Sequence, residues 1–569
     1  MRPASPSVLW PRVWAANGLA ALAVCGVSGC HLILAPRQSD SMEAYQKAVA
    51  EPQPRLDTEG EDTARPLGIL EHPQATGQEV ESKKPTDQQP QSPRVLHLTL
   101  DQAITRALSN SPEIRVVSLD TSIVEQAIVK SEADLDPTLF GRYNHEDSDV
   151  PTTSLSEIGQ SDVRTLESGI KQRISTGAEY SVSYALTRTW DDLISRDPAK
   201  RYTPVLAFQL KQPLMRDGSR EVTLAGIDIA RLNHQIALLG FRQKAEELAT
   251  QVITLYWQLV QAREELRIQE RLVDMASETL NKVEGRRAID ATDVQIQQAQ
   301  VNAKVRKAQL LQAQRRVKDA QDALARLMAD PRTDLVSDYE IIPSTPSSQA
   351  SGPMDTHQIL SMAVRDNPVL QQARLGVRIA DINILVAHNQ GLPRLDLVAS
   401  ASTQSLAETF SDAHEALSDT NYGGYAIGVV LEYPLGNRQR EAELQKRQLE
   451  RKKAVAMLQN LADQVAVQAK ERLRKVETSF AEILVQQQAV EAANIQLQAI
   501  ADSEPIRDKL TPEFLLVKLQ AQESLAESMR AHEGAIAEYG IALAELAQTT
   551  GTVLTLHPIK LPGQGPAKD

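Results

Sequence analysis

The feature that most constrains this chain is that one stretch of it is written twice. Asn110-Ser111-Pro112-Glu113-Ile114 is answered by Asp366-Asn367-Pro368-Val369-Leu370, 256 residues further on. The same offset pairs Ala107 with Ala363, Ile123 with Ile379, and Pro137-Thr138-Leu139 with Pro393-Arg394-Leu395. A gapless register held over roughly forty residues marks an internal repeat, and a repeat dictates architecture before any local propensity does. Later, Gln212-Pro213-Leu214 answers Tyr433-Pro434-Leu435 at an offset of 221, so the first copy is 35 residues longer between its two proline landmarks. A chain of 569 residues would by length alone be divided into three or four domains. The repeat predicts one duplicated unit instead.

Each copy reads the same way. A short helix (Leu100–Leu108; Asp355–Val364) stops before the Asn/Ser-Pro step, because the residue before proline avoids the helical region. A second helix starts on Pro112 or Pro368, which suits a first helical turn, and runs to Leu135 or Gln390. Beyond Pro137 and Pro393 the apolar period changes from 3.6 to 2. This predicts strands at Thr138–His145, Leu206–Leu214, Leu395–Thr403 and Tyr425–Tyr433. The 35 additional residues fit another hairpin, Thr165–Ser175 and Ala178–Trp190 around Thr176-Gly177. A small soluble sheet is the alternative for these strands.

After each second landmark comes a long proline-free helix, Ser219–Val283 and Arg438–Glu504, each roughly 100 Å long at 1.5 Å per residue. Phe241, Ala245, Leu248, Val252, Leu255, Leu259, Ala262 and Leu266 alternate steps of four and three, the seam of a left-handed coiled coil. The helices break at Gly285-Arg286-Arg287 and near Pro505–Leu510. Return helices follow, Thr292–Ala329 with Gln295 as capping-box partner, and Thr511–Thr550 with Pro512 in the first turn. Ala and Gln are dense on more than one side of these helices, so each can pack against two neighbours and turn a third face to water. A wall of helices suits that pattern better than a dimeric rod.

The leader sets the compartment. Arg2 and Arg12 precede an apolar run from Val13 to Val27, and Ser28-Gly29-Cys30 follows; this is a secretory signature, with an apolar run too short for a confident membrane span. Val27-Ser28-Gly29-Cys30 resembles the bacterial lipobox, which makes Cys30 the lipidated first residue of the mature chain; an ordinary signal peptide is the alternative. Cys25 and Cys30 are the only cysteines, so a disulfide framework is excluded. Eight prolines between Pro36 and Pro93, set among polar and charged residues, predict a disordered tether. The expected division is a signal peptide at 1–29, a lipidated N-terminus and linker at 30–95, a first repeat at 96–343, a second at 353–553 and a flexible tail at 554–569.

The duplicated order resembles the TolC-like outer-membrane efflux factor family, from Leu98 to about Val553. The likeness rests on the two Asn-Pro-like helix starts, the strands opened by Pro137 and Pro393, the Gln-Pro-Leu and Tyr-Pro-Leu exits, and the two hairpins. Thr292-Asp293-Val294-Gln295, Ala542-Leu543-Ala544-Glu545-Leu546 and Thr550-Gly551-Thr552 match as well. The resemblance implies a mainly α protein with a membrane β region: a homotrimer, with a periplasmic α-barrel and four strands from each chain in a twelve-stranded outer-membrane β-barrel. It implies a passive conduit that exports small molecules, with a periplasmic adaptor, an inner-membrane pump and outer-membrane lipid as partners. Alternatives are a conduit for type I-like protein secretion and a periplasmic coiled-coil scaffold without a pore. Aromatic placement fits a barrel, since 11 of the 21 aromatics fall within 137–208 and 393–433, and membrane barrels gather aromatics at their interfaces.

No catalytic, cofactor-binding or metal-binding constellation is legible, and the chain reads as a non-enzyme without a cofactor. The net charge of −13 argues against nucleic acid. His145-Glu146 reads as a solvated pair at a loop tip. The candidate gate and adaptor contacts are at the hairpin tips: Arg286, Arg287, Asp293, Arg507, Lys509 and Thr511. Asp293 falls on the family's tip aspartate, although a helix N-terminus favours an acid in any case. The family's tip arginine falls on Thr511 and its two entrance aspartates on Leu515 and Lys518, so this chain departs from the acidic entrance pattern.

Overall fold

Prolines and caps position the helices in space. The computed structural model describes residues 94–154, 157–192, 200–330, 339–345, 355–418, 422–504 and 511–556. Cys30, the leader and linker, Arg507, Lys509 and the tail from 557 lie outside the described residues. In the first repeat, β1 (Arg94–Leu98) leads to α1 (Leu100–Asn110), capped by Thr99 and Gln102, and α2 (Pro112–Glu132) starts on its proline. Strands β2 (Thr138–Asp149), β3 (Gln160–Arg173), β4 (Glu179–Asp191) and β5 (Lys200–Pro213) follow. Next come α3 (Arg220–Gly285), with Ser219 as its cap, and the return helix α4 (Asp293–Met328).

The second repeat runs β6 (Tyr339–Pro343), α5 (Thr356–Asp366), α6 (Pro368–Gln390) and β7 (Arg394–Gln404). A helix α7 (Phe410–Ser418) then precedes β8 (Gly423–Glu432), α8 (Arg438–Ser503), α9 (Pro512–Thr550) and a final turn α10 (Val553–Leu556). The motifs at the start and end of the second repeat meet each other and the first long helix. Asn367, which caps α6, donates to the Thr549 carbonyl at 3.0 Å, and Arg242 on α3 donates to the Gly551 carbonyl at 2.6 Å.

The strands form one antiparallel meander, β2-β3-β4-β5-β7-β8. The hairpin read into the 35 additional residues is therefore part of the sheet, which holds six strands where the family pattern implies four. His145 and Glu146 are not at a loop tip: β2 continues to Asp149, and His145 stands 3.3 Å from Asp162 across the ladder. A parallel pair, β1 with β6, has no counterpart in the sequence reading. It is fastened to α3 by Tyr256, whose hydroxyl donates to the Leu98 carbonyl at 3.2 Å and accepts from the Thr345 amide at 3.0 Å.

The long helices bury two stripes, not one seam. On α3, Ala245, Leu248, Val252 and Leu259 are buried as the heptad requires, but so are Ala249, Ile253, Tyr256 and Trp257. Towards the tips α3 packs on α4 on one side and α9 on the other; α9 packs in turn on α8. Nearer the strands the neighbours of α3 are α2 and α6, and α6 packs on α8. The long helices with α2 and α6 thus stand one layer deep, in the order α2-α3-α6-α8 near the strands and α4-α3-α9-α8 near the tips, with the short helices α1 and α5 packed against them.

Candidate functional site

The sheet separates its side chains by chemistry, because successive residues of a strand point to opposite faces. One row across all six strands reads Leu139, Ile170, Val182, Phe208, Ala401, Tyr425. The adjacent row on the other face reads Thr138, Lys171, Ser181, Gln209, Ser400, Ala426. Leu166, Leu186, Leu206, Leu210, Leu397, Ile427, Val429 and Leu431 extend the first face; Arg142, Glu167, Thr165, Thr187 and Thr203 extend the second. Leu139 is 77% exposed and Ile427 73%. A large apolar face left open on a sheet needs a medium or a partner to cover it.

The two ends of the sheet also differ. At the end beside the helices, β3 and β4 are joined by the short turn 174–178, where Gly177 adopts φ +84° and a Cβ would meet the Asp217 carbonyl at 2.3 Å. The connections at the other end span 150–159, 192–199 and 405–422. Short turns on one side and long loops on the other are the habit of outer-membrane barrels. The α7 segment in the longest loop covers the apolar face at that rim, with His414 on the Tyr184 hydroxyl at 2.5 Å and Phe410 edge-on to Tyr202.

Exposed apolar side chains also stand along both flanks of the helical layer. Val116, Leu119 and Ile123 on α2, with Val294, Val301 and Leu311 on α4, are exposed along one flank; Leu449, Met457, Val467, Val485 and Ile495 are exposed on α8 along the other. These flanks lead into the sheet edges, since α2 feeds β2 and β8 feeds α8. Ion pairs bind the interior of the layer instead. Lys475 on α8 contacts Glu538 at 2.6 Å and Glu545 at 3.1 Å on α9. Burial pulls its ammonium down, but the hydrogen bonds to these carboxylates more than offset that, and its pKa is raised. Burial raises the Glu246 carboxyl, opposed by Arg242 at 2.9 Å.

At the tips, Arg286, Arg287 and Asp293 share the turn between α3 and α4. Arg286 grips Asp290 through two hydrogen bonds of 2.8 and 2.7 Å, and Arg287 reaches Asp293 at 3.1 Å in an exposed pair. Thr292 and Gln295 form the expected capping box. Thr511 caps α9 on the other hairpin, accepting from the Phe514 amide. The two tips are held together by an apolar cluster absent from the sequence reading: Val283 and Ile296 from the first hairpin, Phe514, Leu515 and Leu519 from the second. Lys518 is buried and paired with Glu504 at 2.7 Å. Heptad positions could have suggested the cluster; the Lys518–Glu504 pair depends on how the two helices register across the turn. Among the described residues no group of three His, Cys, Asp or Glu side chains could hold a metal ion, and no helix is long and apolar enough to cross a membrane.

A single layer of helices growing out of a two-faced antiparallel meander is the TolC-like fold of outer-membrane channels. The structure of CusC, solved in connection with transmembrane channel formation, aligns with 79% of this chain and 91% of its own at TM-score 0.58 and 16% identity. The outer membrane protein VceC of Vibrio cholerae aligns with 79% of this chain and 96% of its own, at TM-score 0.56 and 17% identity. The open state of the MtrE outer membrane channel of Neisseria gonorrhoeae covers 80% and 89%, at TM-score 0.54 and 18% identity. No protein-family model matches the sequence. The comparison with curated proteins finds no match.

Proposed function

We propose that this chain is an outer-membrane conduit of an efflux system, a passive homotrimer anchored by lipid at Cys30 and reaching into the periplasm. The observation that carries the reading is the continuity of two unlike edges. Helix flanks bearing exposed apolar side chains run into unpaired strand edges on both sides, so copies can stand flank to flank, edge to edge, and close head to tail into a ring. Closure would turn the apolar face of the sheet to lipid and its polar face to a lumen, and continue that lumen between the helices. Substrate would come from an inner-membrane pump through a periplasmic adaptor docking at the tips. Arg286, Arg287, Asp293, Arg507, Lys509 and Thr511 would be the contacts that open or close the periplasmic end, a two-state shift biased by the adaptor.

The test is conductance of the purified full-length chain in a planar bilayer. Discrete channel steps are expected, with R286A/R287A raising the open fraction by loosening the Asp290 and Asp293 contacts. Correctly assembled protein that never conducts overturns the conduit. For the anchor, radiolabelled palmitate should mark the wild-type chain and not C30S; equal labelling of both removes Cys30 from the proposal.

A further inference from the structure

The number of strands in the pore wall deepens the conduit reading and rests on it. Pro137 and Pro393 align β2 with β7, and the second landmarks align β5 with β8. Strands β3 and β4 are therefore the insertion, and the second repeat has α7 in the corresponding interval. An insertion could stand outside the membrane as a loop domain. This one lies in the middle of the sheet, laddered without a bulge to β2 on one side and β5 on the other. It also repeats the two-faced pattern of its neighbours: Leu166 and Ile170 with Tyr180, Val182, Tyr184 and Leu186 on the apolar face, Thr165, Glu167 and Lys171 with Ser181, Ser183 and Thr187 on the other. A hairpin surrounded by water has no use for such an apolar band, which only Ser168 interrupts between Leu166 and Ile170.

The edges and the widths agree with full membership in the wall. Six is even, so β8 runs antiparallel to the β2 of a neighbouring copy. Every residue of β8 is exposed in the single chain, and such an open edge invites pairing. Four helices side by side at 8–10 Å cover roughly 32–40 Å of circumference. Six strands at about 4.8 Å spacing, tilted by about 40°, cover roughly 38 Å, whereas four cover only about 25 Å. Six strands continue the four-helix layer without narrowing it.

We propose that all six strands of each chain line the membrane pore, β2 of one copy pairing with β8 of the next, so that three copies close an eighteen-stranded barrel and not a twelve-stranded one. Barrel diameter grows about linearly with strand number, making the outer mouth about one and a half times as wide and leaving an open aqueous lumen, as in porins of 16–18 strands. The resistance to passage then sits at the helical tips and not in the barrel.

Single-cysteine variants of the full-length chain in outer membranes, exposed to a membrane-impermeant maleimide and read by peptide mass, test this. I170C and V182C should be protected at least tenfold relative to detergent-unfolded protein, matching L397C and V429C on the uninserted strands; K171C and S181C should react from the lumen. Free reaction of I170C and V182C, with L397C and V429C still protected, puts the insertion outside the membrane and overturns the eighteen-stranded barrel while sparing the conduit. Free reaction of L397C and V429C as well overturns both. Native mass of the assembly should give three copies; any other number overturns the strand total.

Discussion

A chain carrying L397R and V429R is expected to reach the membrane fraction unassembled, running as a single chain by native mass and chemical crosslinking where the wild-type chain gives an assembly. The two residues are directly paired on β7 and β8 and lie on the apolar face. Arginine facing lipid at the bilayer midplane costs about 2–4 kcal/mol, falling towards the interfaces. Two such residues would rival the whole margin of stability, about 5–15 kcal/mol, of an ordinary domain. Ser400 is only one step from this face but points the other way, in the row of Gln209 and Ala426. The S400R chain is expected to assemble as wild type does. Far-UV circular dichroism should show the helical signal little changed in both variants, because the long helices pack away from this row. Equal assembly of the two chains would mean that the apolar face does not meet lipid.

That contrast shows what kind of information the sequence carried. Helices were legible nearly to the residue because their limits are local: Pro112, Pro368 and Pro512 open them, Thr292 with Gln295 closes a capping box, and Ser219 caps α3. Strands were legible in place but not in length. His145-Glu146-Asp147-Ser148-Asp149 looks like a loop, since no apolar residue alternates there; cross-strand pairing extends β2 through it beyond the apolar band. The β1–β6 pair joins five-residue segments from different repeats, which only tertiary packing brings together. The tips divide in the same way. Thr511 and Asp293 occupy their helix starts as local rules require. Leu515 and Lys518, which fall where the family pattern has acids, serve the interior: one fills the apolar cluster, the other pairs with Glu504. Which side chains meet across a hairpin is set by helix register over tens of residues, and no single motif encodes it.

A tight contact that bears on this register is between Gly540 on α9 and Trp257 on α3. A Cβ at position 540 would lie 2.6 Å from the indole ring, well inside van der Waals contact. The ring is buried and set edge-on to Tyr256 at 6.0 Å, and it borders a cavity of about 580 Å³ that Gly540 also lines, so a side chain at 540 must push it towards that space and away from its packing. Overpacking a core by a methyl or more costs about 1–3 kcal/mol, so G540A should lower the thermal midpoint measurably and G540L more. W257A alone should cost about 3–5 kcal/mol through the cavity it leaves. Combined, the two changes are complementary in volume. W257A/G540L is expected to be more stable than the sum of its parts by more than about 1 kcal/mol, the mark of residues in direct contact. Strict additivity in thermal or denaturant unfolding would mean that the hairpins do not meet at this point. A G540L chain that still assembles should also show altered gating in a bilayer, because wedging α9 from α3 shifts one tip relative to the other through the helices that carry them.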